Sequence, residues 1–203
     1  MVFLAQVVII SLSGVMAPGP VTATTVAIGA RNRYAGTLIS IGHGIVEIPL
    51  IILITLGMGR IFERQTARII IGLAGGVLLL LMAVGMFLSI KSPGKQQAKA
   101  VKDKAILAGI VLTAGNPYFL VWWATVGLKL ATDARALGIY AFALFAIVHW
   151  LCDLIWCQIL SWASFKGIKL LGPQSLKIVL TICSAAMFFF GVKFIVDAVG
   201  IIR

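Results

Sequence analysis

Six apolar stretches alternate along the chain with short polar connectors, at residues 3–29, 36–59, 69–90, 105–128, 137–163 and 177–200. Each reaches the roughly 20 mostly apolar residues needed to cross a bilayer as a helix. The connectors are brief: Arg31-Asn32-Arg33 follows the first stretch, and Arg60 to Arg68 follows the second. Only the third is long and strongly charged. It carries Ser92-Pro93-Gly94, then Lys95, Lys99, Lys102, Asp103 and Lys104, and it divides the chain into a first half over 1–90, a linker over 91–104 and a second half over 105–203. The first stretch has no Lys or Arg before Arg31 and is too long for a signal-peptide core, so it is expected to be a retained span. The pattern predicts an all-α integral membrane domain of six spans.

Composition agrees. Hydrophobic residues are 61% and charged residues 11%, against about 25% charged in soluble domains. Such a chain can neither cover a soluble surface nor remain disordered. The net charge of +11 would suggest a nucleic-acid partner in a soluble protein, but 16 of the 17 basic residues lie between or at the ends of the apolar stretches, where they suit lipid headgroups. No nucleic acid is expected. Ten basic residues fall on the side of connectors one, three and five, and six on the other, which places both termini outside. Cys152, Cys157 and Cys183 lie in apolar stretches without metal-type spacing and read as small core residues.

Comparison of the halves reveals a repeat. Span one contains Ala17-Pro18-Gly19-Pro20, and span four contains Gly115-Asn116-Pro117. Span two carries His43 and Glu47; span five carries His149 and Asp153. The offsets are 99 residues from Pro18 to Pro117 and 106 for both the histidines and the acids. Three spans per half force the second half to enter the membrane in the opposite sense, the inverted-repeat plan of many secondary transporters.

Proline has no N–H and clashes with the carbonyl four residues back, so Pro18, Pro20 and Pro117 are expected to break spans one and four. Each downstream half-helix then presents free N–H groups and a partial positive charge at mid-membrane, suited to a carboxylate. Simple kinking for packing is the alternative. Three of the six carboxylates, Glu47, Asp153 and Asp197, lie inside spans, where a charge costs at least about 2.5 kcal/mol. His43 shares a helix face with Glu47, and His149 with Asp153. The pairs suit proton coupling or ammonium recognition; alternatively each histidine simply satisfies its acid. Trp150 and Trp156 flank Asp153 and would keep it dry. Lys193 and Asp197 read as a pair near the chain end, with the lysine reaching for the interface.

Gly29, Gly36, Gly57, Gly59, Gly72, Gly75, Gly76 and Gly85 read as close-packing positions. Trp122, Trp123, Trp150, Trp156 and Trp162 read mainly as packing or interface residues. No Walker A loop, HExxH motif or Ser–His–Asp arrangement occurs, so neither an ATPase nor a familiar hydrolase is expected, and no cofactor is implied.

Gly14 to Pro20 (GVMAPGP), Gly115-Asn116-Pro117-Tyr118 and Trp122-Trp123, with the size and basic central loop, resemble the LysE/RhtB family of amino-acid exporters. The resemblance extends over essentially the whole chain. It implies a plasma-membrane carrier that expels amino acids using the proton gradient, with Pro18, Gly19, Pro20, Asn116, Pro117 and Tyr118 forming the permeation site. Two positions depart from the family pattern: Tyr118 stands where many members have lysine, and Ala17 where a hydroxyl residue is frequent. The reading is therefore a proton-coupled exporter of small zwitterions, compatible with a homo-oligomer. Two rivals remain open, a divalent-metal exporter using the His/acid pairs and an intramembrane metalloenzyme.

Overall fold

The computed structural model describes residues 2–16, 19–58, 64–91, 98–171 and 173–202, and all regular structure among them is helical. Helix α1 (Val2–Val15) ends just before the first proline motif, and α2 (Pro20–Gly29) begins at its last proline. Pro20 takes the first helical position, where a missing N–H costs nothing. Pro18 lies outside the described residues. Helix α3 (Ala35–Leu53) runs on into a π turn, Ile54–Met58, in which Gly57 has a φ of 93°. A side chain would be strained there, so the glycine lets the helix stop.

Helix α4 spans Gln65–Lys91 and α5 spans Ala98–Ala114. Gly115 and Asn116 then interrupt the ladder. Helix α6 starts at Pro117, runs to Trp122, and continues through a π turn, Trp123–Gly127, into α7 (Leu128–Ala136). Span four was expected to stop near residue 128. It continues because Lys129 and Asp133 pair at 2.8 Å one turn apart and no breaker occurs before Gly138, whose φ is 111°. Helix α8 (Ile139–Leu171) has 33 residues. At about 1.5 Å per residue it measures about 50 Å and outruns the hydrocarbon layer, carrying Lys166 and Lys169 beyond it. Helix α9 covers Pro173–Ile202.

Four stretches are each long and apolar enough to cross a membrane: Ala35–Gly57, Gln65–Gly85, Ile139–Leu170 and Lys177–Ile201. Phe3–Val15 with Pro20–Gly29, and Lys104–Ala114 with Pro117–Ala136, meet the same test as pairs but bend by 78° and 56°. Counting each bent pair as one span gives six.

Polarity runs inside out, as lipid demands. Ile70, Leu81 and Leu88 on α4, and Ile178, Ile182 and Phe189 on α9, are exposed, whereas Ser11, Thr24, Ser40, His43, Glu47, Thr113, His149 and Asp153 are buried. Helix α3 packs on α5 and α8, α1 and α2 pack on α8, and α4 packs on α9. Gly42 and Gly109 let α3 and α5 touch backbone to backbone: a Cβ on Gly42 would strike the Ile106 carbonyl, and one on Gly109 the Ile39 carbonyl. Gly29, Gly36, Gly72, Gly75 and Gly76 serve similar contacts. Gly57 and Gly85 do not, since nothing lies within 4 Å of a Cβ at either; Gly59 lies outside the described residues. All three cysteines are buried and unbridged.

Candidate functional site

The helix breaks and the polar faces of α3 and α8 converge on a cavity of about 690 Å³. Gly19, Pro20, Asn116 and Tyr118 line it from the breaks, and His43, Glu47, His149 and Asp153 line it from the long helices. Among the described residues no Lys or Arg lines it. Pro117 instead borders a smaller hollow of about 100 Å³ that also contains Arg68 and Asp197.

Glu47 is the centre of the polar cluster and is fully buried. Its Oε1 lies within hydrogen-bond distance of His43 Nε2, 3.0 Å away one turn along α3, and of His149 Nε2, 3.1 Å away on α8. Trp123 Nε1, a donor only, adds a third bond at 3.3 Å. Asp153 stands farther off: Oδ1 is 3.7 Å from His43 Nε2, and Oδ2 is 3.7 Å from His149 Nε2. These are charge contacts rather than hydrogen bonds. Each imidazole is also held through its other nitrogen, His43 Nδ1 by Thr113 Oγ1 and His149 Nδ1 by Ser11 Oγ, both at 2.7 Å. Glu47 Oε2 and Asp153 Oδ2 are buried without a partner. Such atoms are costly unless something transient fills the need.

Aromatic rings enclose the cluster. Trp122 stacks on His149 with centroids 5.4 Å apart, Trp123 meets the same ring edge-on at 5.0 Å, and Phe119 meets His43 edge-on at 5.1 Å. These rings, and not Trp150, lie against the histidines. Trp150 is turned to α3, where it lies over Gly44 and donates to the Ser40 carbonyl at 2.9 Å.

The two half-helix ends differ. Gly19 provides no side-chain cap to α2, whose first residues line the cavity. At α6, Asn116 Oδ1 accepts from the N–H groups of Tyr118 at 3.1 Å and Phe119 at 3.4 Å. That end carries its own side-chain cap, which the N-terminus of α2 lacks. Tyr118 donates outward to Asp197 Oδ2 at 3.3 Å, and Lys193 reaches the same oxygen at 2.9 Å.

Ser11, Thr113 and the Trp123 N–H were not singled out by sequence reasoning. One signal was available. Ser11 and Thr113 are 102 residues apart, in register with the other repeated features, and each is a hydroxyl in an apolar run. His43, Glu47 and Asp153 each offer one donor atom within 4.8 Å of the others, a spacing that could admit a divalent cation.

A model of the LysE type translocator family matches residues 12–198, nearly the whole chain. The chain belongs to that family. No curated protein and no solved structure matches it. Family members are transporters and not enzymes, which removes the metalloenzyme alternative. The translocator is a multi-pass membrane transporter with a small-molecule substrate.

Proposed function

We propose that the translocator exports amino acids or similar small zwitterions across the plasma membrane, driven by the proton gradient. The observation that carries this reading is Glu47, a fully buried carboxylate on α3 that faces a large cavity and bonds histidines on both α3 and α8. A substrate ammonium suits Glu47 Oε2 and Asp153 Oδ2, which have no hydrogen-bond partner, in a cavity that Trp122 and Phe119 also line. A substrate carboxylate suits the N-terminus of α2 at Gly19 and Pro20, which has no side-chain cap. Asn116 contributes its remaining amide NH₂, and Tyr118 and Pro117 shape the rim. Asp153 and Glu47 would exchange the coupling proton through His43 and His149.

The six spans are read as two inverted three-span halves. Crossed bonding supports this: Ser11 of span one holds His149 of span five, while Thr113 of span four holds His43 of span two. A two-fold axis in the membrane plane exchanges those bonds, and it returns the packing of α4 on α9 to itself. Rocking of one half on the other would then open the cavity alternately.

The test is counterflow in liposomes preloaded with single unlabelled amino acids. Accelerated uptake of a labelled amino acid supports the reading; uptake equal to empty liposomes for every amino acid, with exchange of a divalent metal instead, overturns it. Single cysteines at residues 32 and 138, labelled from one side at a time, test the orientation with both termini outside. Residue 138 should label from the outside and residue 32 only from the inside.

A further inference from the structure

Hydrogen-bond direction distinguishes the two histidines. The Thr113 hydroxyl donates its one hydrogen to the Gly109 carbonyl at 2.6 Å. Toward His43 Nδ1, at 2.7 Å, it can therefore only accept, and Nδ1 must carry a hydrogen. His43 Nε2 then faces Glu47 Oε1 at 3.0 Å. A neutral ring opposite an ionised carboxylate would bring two lone pairs together at that distance. One proton has to lie between them, on the ring or on the acid. His149 is under no such constraint. Ser11 has no second hydrogen-bond partner among the described residues, so its hydroxyl can donate to Nδ1 or accept from it. His149 can thus gain or lose a proton at Nδ1 while keeping its Nε2 bond to Glu47.

We propose that Thr113 is a positioning residue that locks His43 as an Nδ1–H donor, so that the His43–Glu47 pair retains one proton until their contact breaks, while Ser11 leaves His149 free to exchange protons with the cavity. This deepens the proton-coupled reading and rests on it only for its transport consequence. Losing the retained proton requires either side chain to move. A substrate ammonium entering against Glu47 would supply that displacement and tie proton release to binding. The charged and titratable groups around His43 are Glu47 on its own helix and Asp153 and His149 on α8, with neutral Thr113 and Phe119 also against the ring. Around His149 they are Glu47, Asp153 and His43, with Ser11, Trp122, Trp123 and Phe145. The two His/acid pairs share the same spacing in the sequence, and the two hydroxyls make their histidines different.

The chain has two histidines, so ¹⁵N-histidine NMR of the full-length protein contains two rings, assigned with His149→Gln. Wild-type His43 should keep a protonated Nδ1 throughout a pH titration while His149 Nδ1 changes state. Thr113→Val should release His43 to the other tautomer, and Thr113→Ser should restore the wild-type pattern. Gradient-driven efflux should fall about tenfold in Thr113→Val and recover in Thr113→Ser, the scale of one hydrogen bond to a charged group. An unprotonated His43 Nδ1 in the wild type overturns the proposal without any variant, as does a tautomer unchanged by Thr113→Val. Correct tautomers in a protein that moves no amino acid would uphold the assignment of Thr113 and reject only the transport reading.

Discussion

Glu47 and His149 lie 102 residues apart in the chain and meet at 3.1 Å in the interior. One partner comes from α3 and the other from α8, so the bond is a direct link between the first and second halves of the sequence. Motion of one half against the other must carry this bond or break it, and its breaking would leave a buried carboxylate with fewer donors. In the proposed transport cycle, that dependence would make the cluster a switch as well as a binding surface.

Close approach of α3 and α5 holds Thr113 against His43. Gly42→Ala would drive a methyl into the Ile106 carbonyl, and Gly109→Ala into that of Ile39. Each is expected to destabilise the folded protein by about 2 kcal/mol, as overpacking does. Thermal unfolding in detergent should show both, while Gly85→Ala, with open space around it, should unfold like the wild type.

Asn116 separates capping from substrate contact. Asn116→Ala removes the acceptor for two N–H groups and should cost about 1 kcal/mol of stability. Asn116→Asp keeps that acceptor and adds a negative charge beside the cavity. It should fold at least as well as the wild type yet bind a zwitterion's carboxylate poorly, which appears as a raised half-saturation concentration in exchange assays.

Much of this was legible in the chain. The apolar runs marked where the helices lie, Pro20 and Pro117 marked the two breaks, and the fourfold spacing of His43 with Glu47 and of His149 with Asp153 set both pairs on cavity-facing sides of α3 and α8. The asymmetries were not legible, because they depend on three-dimensional partners. Spacing cannot reveal that Asn116 spends its oxygen on Tyr118 and Phe119, or that Glu47 rather than Asp153 collects both imidazoles. Nor can it reveal that Trp122 and Trp123 wall the cluster while Trp150 turns to Ser40. Span four overran its expected end because the Lys129–Asp133 pair is a helical feature that hydropathy scores as a connector.

Chelation distinguishes protons from metal at the cluster. His43 and His149 already satisfy Glu47 Oε1 without a cation. Treatment with a strong chelator should therefore leave both the unfolding temperature and amino-acid exchange unchanged. A loss of exchange restored by added zinc would assign His43, Glu47 and Asp153 to a metal.

The most direct measurement compares substrate exchange with gradient-driven efflux in liposomes containing Glu47→Gln protein. Glutamine preserves the size of the side chain and an acceptor oxygen for Trp123 but cannot hold or release a proton. The account predicts folded protein that still exchanges labelled for unlabelled amino acid, with efflux no longer responding to an imposed pH gradient. Wild-type dependence of efflux on that gradient, in both Glu47→Gln and Asp153→Asn liposomes, would contradict it.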